Sequence, residues 1–218
     1  PFTGGKRMEK LLLFGGTFDP PHNGHLCLLH AAIRAVQPDR VVVMPTGLPP
    51  HKAAGHTSGE LRMRMCACFL PLFSPMVISD MELAREGKSY TVDTVRALQK
   101  LYAQARIYLP IGSDMLLYFR KWHAYEILLQ AVTLVVHCRD ADDLAPVEEC
   151  AARLRAEGGE VLLVRGPIEE VSSTEVRALA AAGKDISRLV PKNVAQLVRQ
   201  YRLYQTEAGE ENSYDFRG

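Results

Sequence analysis

The chain reads as an α/β fold, a doubly wound parallel sheet of about five to six strands with helices on both faces. Three observations predict it. Short apolar runs rich in Leu, Ile and Val alternate with helical patterns along nearly the whole length. The runs are apolar throughout rather than alternating in polarity, which implies burial on both faces of a sheet. The helical stretch between them is a crossover, so the strands run parallel and the connections are right-handed. That arrangement is Rossmann-like.

In order, residues 11–14 form the first strand, ended by Gly15-Gly16, and a helix covers about 24–36. Residues 41–44 form a second strand stopped by Pro45, and 47–59 are loop, with Gly and Pro frequent. Residues 61–73 read as helix, 76–79 as a short strand and 92–105 as an amphipathic helix. A strand at 107–111, a helix at 125–130 and a strand at 132–137 follow. The remainder is a helix near 147–157, a strand at 161–164 and helices at 173–182 and 191–204. No repeat or linker divides this series, so 8–204 is expected to be one domain. Residues 1–7 read as a scar or extension. Residues 205–218, with Glu207, Glu210, Glu211 and Asp215, read as an acidic, disordered tail.

Composition narrows the function by exclusion. The 218 residues can bury roughly 70–75% of their extended surface. Lys and Arg number 26 against 25 Asp and Glu, a net charge of +1. That balance argues against a polyanion-binding surface, hence no nucleic-acid partner and no membrane surface. No apolar run approaches the ~20 residues of a membrane helix. Five scattered cysteines are an odd count in a chain this large, which favours a reduced, cytoplasmic setting. Cys66 and Cys68 diverge at i, i+2 on a helical stretch, as buried thiols rather than ligands. Assembly into a homo-oligomer stays open.

Ligands of such sheets bind beyond the carboxyl ends of the strands. The loops after Phe14, Met44 and Ile111, and the one before Ser172, are therefore the places where chemistry is expected. The first carries Gly15-Gly16-Thr17-Phe18-Asp19-Pro20-Pro21-His22-Asn23-Gly24-His25. Its glycines let backbone approach a ligand closely, and its prolines stiffen the turn. His22 and His25 fall at the mouth of the next helix, where free N–H groups and the dipole favour anions. Two imidazoles three residues apart there can donate hydrogen bonds to phosphate oxygens. Neither G-x-G-x-x-G nor a P-loop occurs. Zinc is the rival reading, with His51 or His56 as a third ligand, but no cysteine or carboxylate pair completes a set. No metal site is expected.

This segment resembles the amino-terminal signature of the H-x-G-H nucleotidyltransferases, which transfer an adenylyl or cytidylyl group. Four further segments resemble the bacterial nicotinate-nucleotide adenylyltransferases within them. Pro49-Pro50-His51-Lys52 places an imidazole and an ammonium on the loop after the second strand. Ser89-Tyr90-Thr91-Val92-Asp93-Thr94 opens a helix with Thr91 as its expected cap, and resemblance puts Tyr90 and Thr91 at the pyridine nucleotide. Ile111-Gly112-Ser113-Asp114 suits a ribose clamp, and Trp122-His123 supplies a ring for stacking. Val171-Ser172-Ser173-Thr174-Glu175-Val176-Arg177 is similar to the family's triphosphate-binding turn, with Val171 where Ile is frequent. The phosphopantetheine enzyme shares the first motif but fits these segments poorly.

The resemblance covers about 10–204. It implies transfer of adenylyl from ATP to nicotinate mononucleotide, a step of NAD biosynthesis. His22 and His25 are then catalytic. Gly15, Gly16, Thr17, Lys52, Gly112, Asp114, Ser172, Ser173 and Arg177 bind ATP. His51, Tyr90, Thr91, Trp122 and His123 bind the acceptor. Mg²⁺ is expected to come bound to the nucleotide. Nicotinamide mononucleotide or phosphopantetheine as acceptor, and an inactive nucleotide-binding module, are the alternatives.

Overall fold

A computed structural model describes residues 7–47, 57–138, 144–166 and 169–205. Among these residues six parallel strands form one sheet in the order β3-β2-β1-β4-β5-β6. They are β1 (Glu9–Gly16), β2 (Arg40–Pro45), β3 (Met76–Ile78), β4 (Ala105–Gly112), β5 (Val132–Cys138) and β6 (Glu160–Arg165). The helices are α1 (Asn23–Val36), α2 (Gly59–Cys66), α3 (Thr91–Leu101), α4 (Ser113–Tyr118), α5 (Tyr125–Ala131), α6 (Leu144–Ala156), α7 (Ser173–Ala181) and α8 (Lys192–Gln200).

The strand period of two divides the core. Leu11, Leu13, Val42, Met44, Leu134 and Val136 face α3, α4, α5 and α6. Leu12, Phe14, Val41, Val43 and Val135 face α1 and α2. Each fully buried Phe or Leu contributes about 1.5–3 kcal/mol, so both layers must be covered and the sheet is doubly wound. A third cluster, including Met65, Val176, Val190 and Val194, joins α2 to α7 and α8. The chain leaves β1 towards β2 and β3, then returns to β4 on the other side. The switch therefore falls between β1 and β4, where a crevice opens at the strand ends.

The helix expected over 92–105 ends at Leu101, and Ala105 already opens β4; three further differences from the sequence reading have physical causes. The expected helix at 61–73 is α-helical only to Cys66 and continues as a 3₁₀ stretch, Ala67–Leu72, with Pro71 inside it. A proline lacks the N–H that an α-helical turn there would need. α4 was not anticipated, because six residues are too few to display a helical period. The last helix stops at Gln200, and residues 201–204 follow it as turns. The five cysteines are free, and no described helix is long and apolar enough to cross a membrane.

Candidate active site

An open cleft of about 990 Å³ lies at the carboxyl ends of β1, β2, β4 and β5. It is lined by Gly15, Gly16, Thr17, His22, His25, Tyr90, Thr91, Gly112, Asp114, Trp122, His123, Ser172, Ser173 and Arg177. Segments as far apart in the chain as Gly15 and Arg177 thus meet at one crevice. His51 and Lys52 lie outside the described residues, as does most of the loop expected at 47–59.

His22 is the cap of α1, with φ −143° and ψ 172°, so its backbone is extended and its side chain sits at the helix mouth. Its N–H donates to His25 Nδ1 at 3.2 Å. A ring nitrogen that accepts carries no proton, so neutral His25 holds its proton on Nε2. The two rings stack with centroids 3.7 Å apart, and Phe18 meets His25 edge-on at 5.1 Å. Burial pushes His22 down to about 4. Burial also lowers His25 well below the usual range, with His22 beside it adding to the effect. Both imidazoles are therefore neutral at pH 7 until an anion arrives. Gly24 between them is required by space, since a Cβ there would lie 2.9 Å from the Glu169 carbonyl.

The loop that presents these histidines is held from the far end of the chain. Ser173 Oγ donates to the Pro20 carbonyl at 2.9 Å, and Arg177 Nη1 to the Asp19 carbonyl at 2.8 Å. Tyr204 donates its hydroxyl to Asp19 Oδ1 at 2.7 Å, and Asn23 N–H donates to the Leu189 carbonyl at 2.9 Å. Ser172 caps α7 by accepting from Glu175 N–H at 3.1 Å. Phe18 takes a left-handed φ of 49° and buries its ring against Phe14 and Phe69. That packing offsets the local strain.

The other side of the cleft is aromatic. Tyr90 lies against His123 with centroids 4.2 Å apart, and Trp122 packs on Phe119 at 5.3 Å. Tyr90, not Thr91, occupies the cap of α3, and no side chain caps it. Thr91 is the first helical residue, so its hydroxyl cannot fold back onto the N–H groups of its own first turn as a cap would. Beyond β4, Asp114 turns its carboxylate back over Gly112, where a Cβ would lie 2.6 Å from Oδ1.

Sequence reasoning missed three buried groups. Glu82, at 5% exposure, accepts from Thr94 Oγ1 at 2.6 Å, while its carbonyl accepts from Ser89 Oγ at 3.4 Å. It thus ties the Ser89-Tyr90 turn to α3, and burial raises its carboxyl. His137, on β5, also lines the cleft, and its Nε2 is buried without a hydrogen-bond partner among the described residues. Arg62 lies under the β1 and β2 loops. None of these sits in a motif, and no local pattern marks a lone charged residue as buried. Among the described residues, no group of three or more His, Cys, Asp or Glu side chains could hold a metal ion.

Comparison with known proteins agrees with this construction. The cytidylyltransferase-like family matches residues 13–179. A relative from Exiguobacterium sibiricum, named "probable nicotinate-nucleotide adenylyltransferase", is 36% identical over 90% of this chain and 100% of its own length. One of the same name from Neisseria meningitidis serogroup B is 35% identical over 91% and 100%. The fold matches Plasmodium falciparum nicotinic acid mononucleotide adenylyltransferase complexed with NaAD, with a TM-score of 0.74 at 18% identity, covering 90% of this chain and 97% of that one. With its glycine turn, paired imidazoles and aromatic wall accounted for, the chain belongs to the cytidylyltransferase-like family, among the nicotinate-nucleotide adenylyltransferases.

Proposed function

We propose that this protein transfers the adenylyl group of ATP to nicotinate mononucleotide, releasing pyrophosphate and nicotinate adenine dinucleotide. The observation that carries this is the stacked pair His22 and His25 at the mouth of α1, opening on the β1–β4 crevice beside the Gly15-Gly16 turn.

The acceptor's phosphate monoester is mostly dianionic at pH 7, since its second pKa is near ~6, so no general base is needed. One of its oxygens attacks the α-phosphorus of ATP, a new P–O bond forms, and the bond to the β-phosphate breaks as pyrophosphate departs. The protein's task is alignment and charge stabilisation rather than covalent chemistry. His25, with its proton on Nε2, would donate to the α-phosphate oxygens as charge builds there. His22 would gain a proton or a hydrogen bond only once phosphate supplies negative charge, because burial keeps it neutral before that. Thr17 would bind phosphate through its N–H and hydroxyl.

The Ser172 hydroxyl and the Ser173 backbone N–H, at the N-terminal end of α7, would hold the β- and γ-phosphates with Arg177 one turn on, where the helix dipole adds to the attraction. Arg177 spends Nη1 on Asp19 and Nη2 on Thr174, so its remaining donors would serve the nucleotide. Lys52 would join them from the loop after β2. Asp114 beside Gly112 would clamp a ribose. Trp122, His123, Tyr90 and His51 would frame the pyridine ring, with Thr91 at the start of α3 offering backbone N–H groups to its carboxylate. Magnesium would enter on the triphosphate as part of the substrate and offset its charge.

Pyrophosphate release measured with ATP and four acceptors tests this: nicotinate mononucleotide, nicotinamide mononucleotide, phosphopantetheine and phosphocholine. The expected result is the highest kcat/KM with nicotinate mononucleotide. A higher value with any other acceptor, or ATP binding with no turnover on all four, overturns it.

A further inference from the structure

Arg62 projects from α2 and is 7% exposed. Its Nη1 donates to two backbone carbonyls, Thr17 at 2.9 Å and Thr46 at 2.8 Å. These carbonyls belong to the loops that leave β1 and β2 side by side, and both residues line the cleft while Arg62 itself does not. Among the described residues, no carboxylate pairs with this guanidinium, and its Nε is buried without a partner. A buried cation held only by carbonyl dipoles is costly, and that cost falls when an anion comes near.

The orientation of Thr17 supplies the second half of the argument. A carbonyl turned into the cleft would repel phosphate. By drawing the Thr17 carbonyl down to itself, Arg62 turns the negative end of that peptide away from the crevice. The same nitrogen fixes Thr46, so the base of the β2 loop is held in register with the glycine turn.

We infer that Arg62 is a positioning residue for the triphosphate: it orients the Thr17 peptide for phosphate and leaves its own charge to be balanced by the bound polyphosphate. The inference rests on the adenylyl-transfer reading for its physiological ligand and for the KM arm of its test, while the tripolyphosphate titration is independent of that reading. Inorganic tripolyphosphate is titrated calorimetrically into the wild type, Arg62→Met and Arg62→Lys at low and moderate ionic strength, and KM is measured for ATP and for acceptor.

Arg62→Met should weaken tripolyphosphate binding and raise the ATP KM about tenfold, the size of a lost charge-assisted interaction, with little change in the acceptor KM. Arg62→Lys, which keeps the charge and can reach the carbonyls with one nitrogen, should recover most of the loss. Unchanged tripolyphosphate affinity in Arg62→Met, or an equal rise in both KM values, would overturn the inference. If Arg62→Met does not fold, Arg62→Gln replaces it, and equal tripolyphosphate affinity for the Gln and Lys variants sinks the idea. A wild type that binds tripolyphosphate but transfers no adenylyl group would remove the activity assignment and leave Arg62 still readable by titration.

Discussion

On the histidine side of the cleft Asp19 and His22 are buried and His25, Asn23, Ser173 and Arg177 half-buried, and their partners come from distant parts of the chain. Asp19 and Pro20 are held by Ser173, Arg177 and Tyr204, while Asn23 reaches Leu189. On the aromatic side, Tyr90 and Trp122 are half-buried and His123 is exposed, and their rings meet at a tilt, Tyr90 on His123 and Trp122 on Phe119. A site that must strip water from phosphate and stabilise charge needs dry, rigidly oriented donors, and only long-range packing provides those. A site that sorts flat rings needs a wall and some backbone N–H groups, which local turns can supply. One half is expensive to alter, and the other can change its preference at small cost.

The sharpest way to break this contrast is His25→Ala. It should lower the rate of pyrophosphate release by about 10²–10³, the usual loss for one oriented donor, with the fold intact by circular dichroism. Near-wild-type release would show that dryness around the imidazoles has no catalytic purpose. Burial has a second signature in stability. His22 titrates near 4 when folded but at its ordinary value when unfolded, so between those values the unfolded chain binds the extra proton. Stability from this group is then complete above pH 6.5 and is lost as pH falls towards 4, on the order of 3 kcal/mol in all. Melting temperatures from pH 7.5 to 4 should fall less steeply for His22→Asn; parallel curves would contradict the burial argument.

Smaller effects belong to the ring side and to the latch. Trp122→Ala should raise the acceptor KM about tenfold, a stacking loss, and leave the ATP KM nearly unchanged. An ATP KM that moves equally would mean the two halves are not separable. Tyr204→Phe leaves Asp19 buried without its hydroxyl donor, which costs about 1–2 kcal/mol, read as a lower denaturation midpoint at constant m-value. No shift would show that the histidine loop does not depend on this contact.

Much of this architecture was legible because it is periodic or motif-borne. The apolar runs identified all six strands, and glycine, proline and histidine in one short segment placed the loop after β1. What escaped notice depends on geometry that only packing decides. Arg62 and Glu82 look like ordinary solvated charges until packing sets Arg62 beneath the β1 and β2 loops and Glu82 against Thr94. The apolar pattern over 61–73 shows burial but does not show where the α-helix gives way to the 3₁₀ stretch that holds Pro71. That the two histidines would be neutral and stacked could not be read either, because their spacing says which face they share and nothing about the depth at which they lie.

The contact between Tyr204 and Asp19 spans 185 residues, and this separation bears on how the protein is made. At about 5–20 residues per second, the ribosome finishes Tyr204 roughly 10–40 s after Asp19. Through that interval β1 and α1 exist without the groups that lock their connecting loop, so the histidine turn is among the last parts to set. A nascent chain stalled before α7 would hold the sequence of all six strands but not the groups that latch the histidine loop, and a ribosome paused there would be exposing that loop to proteases.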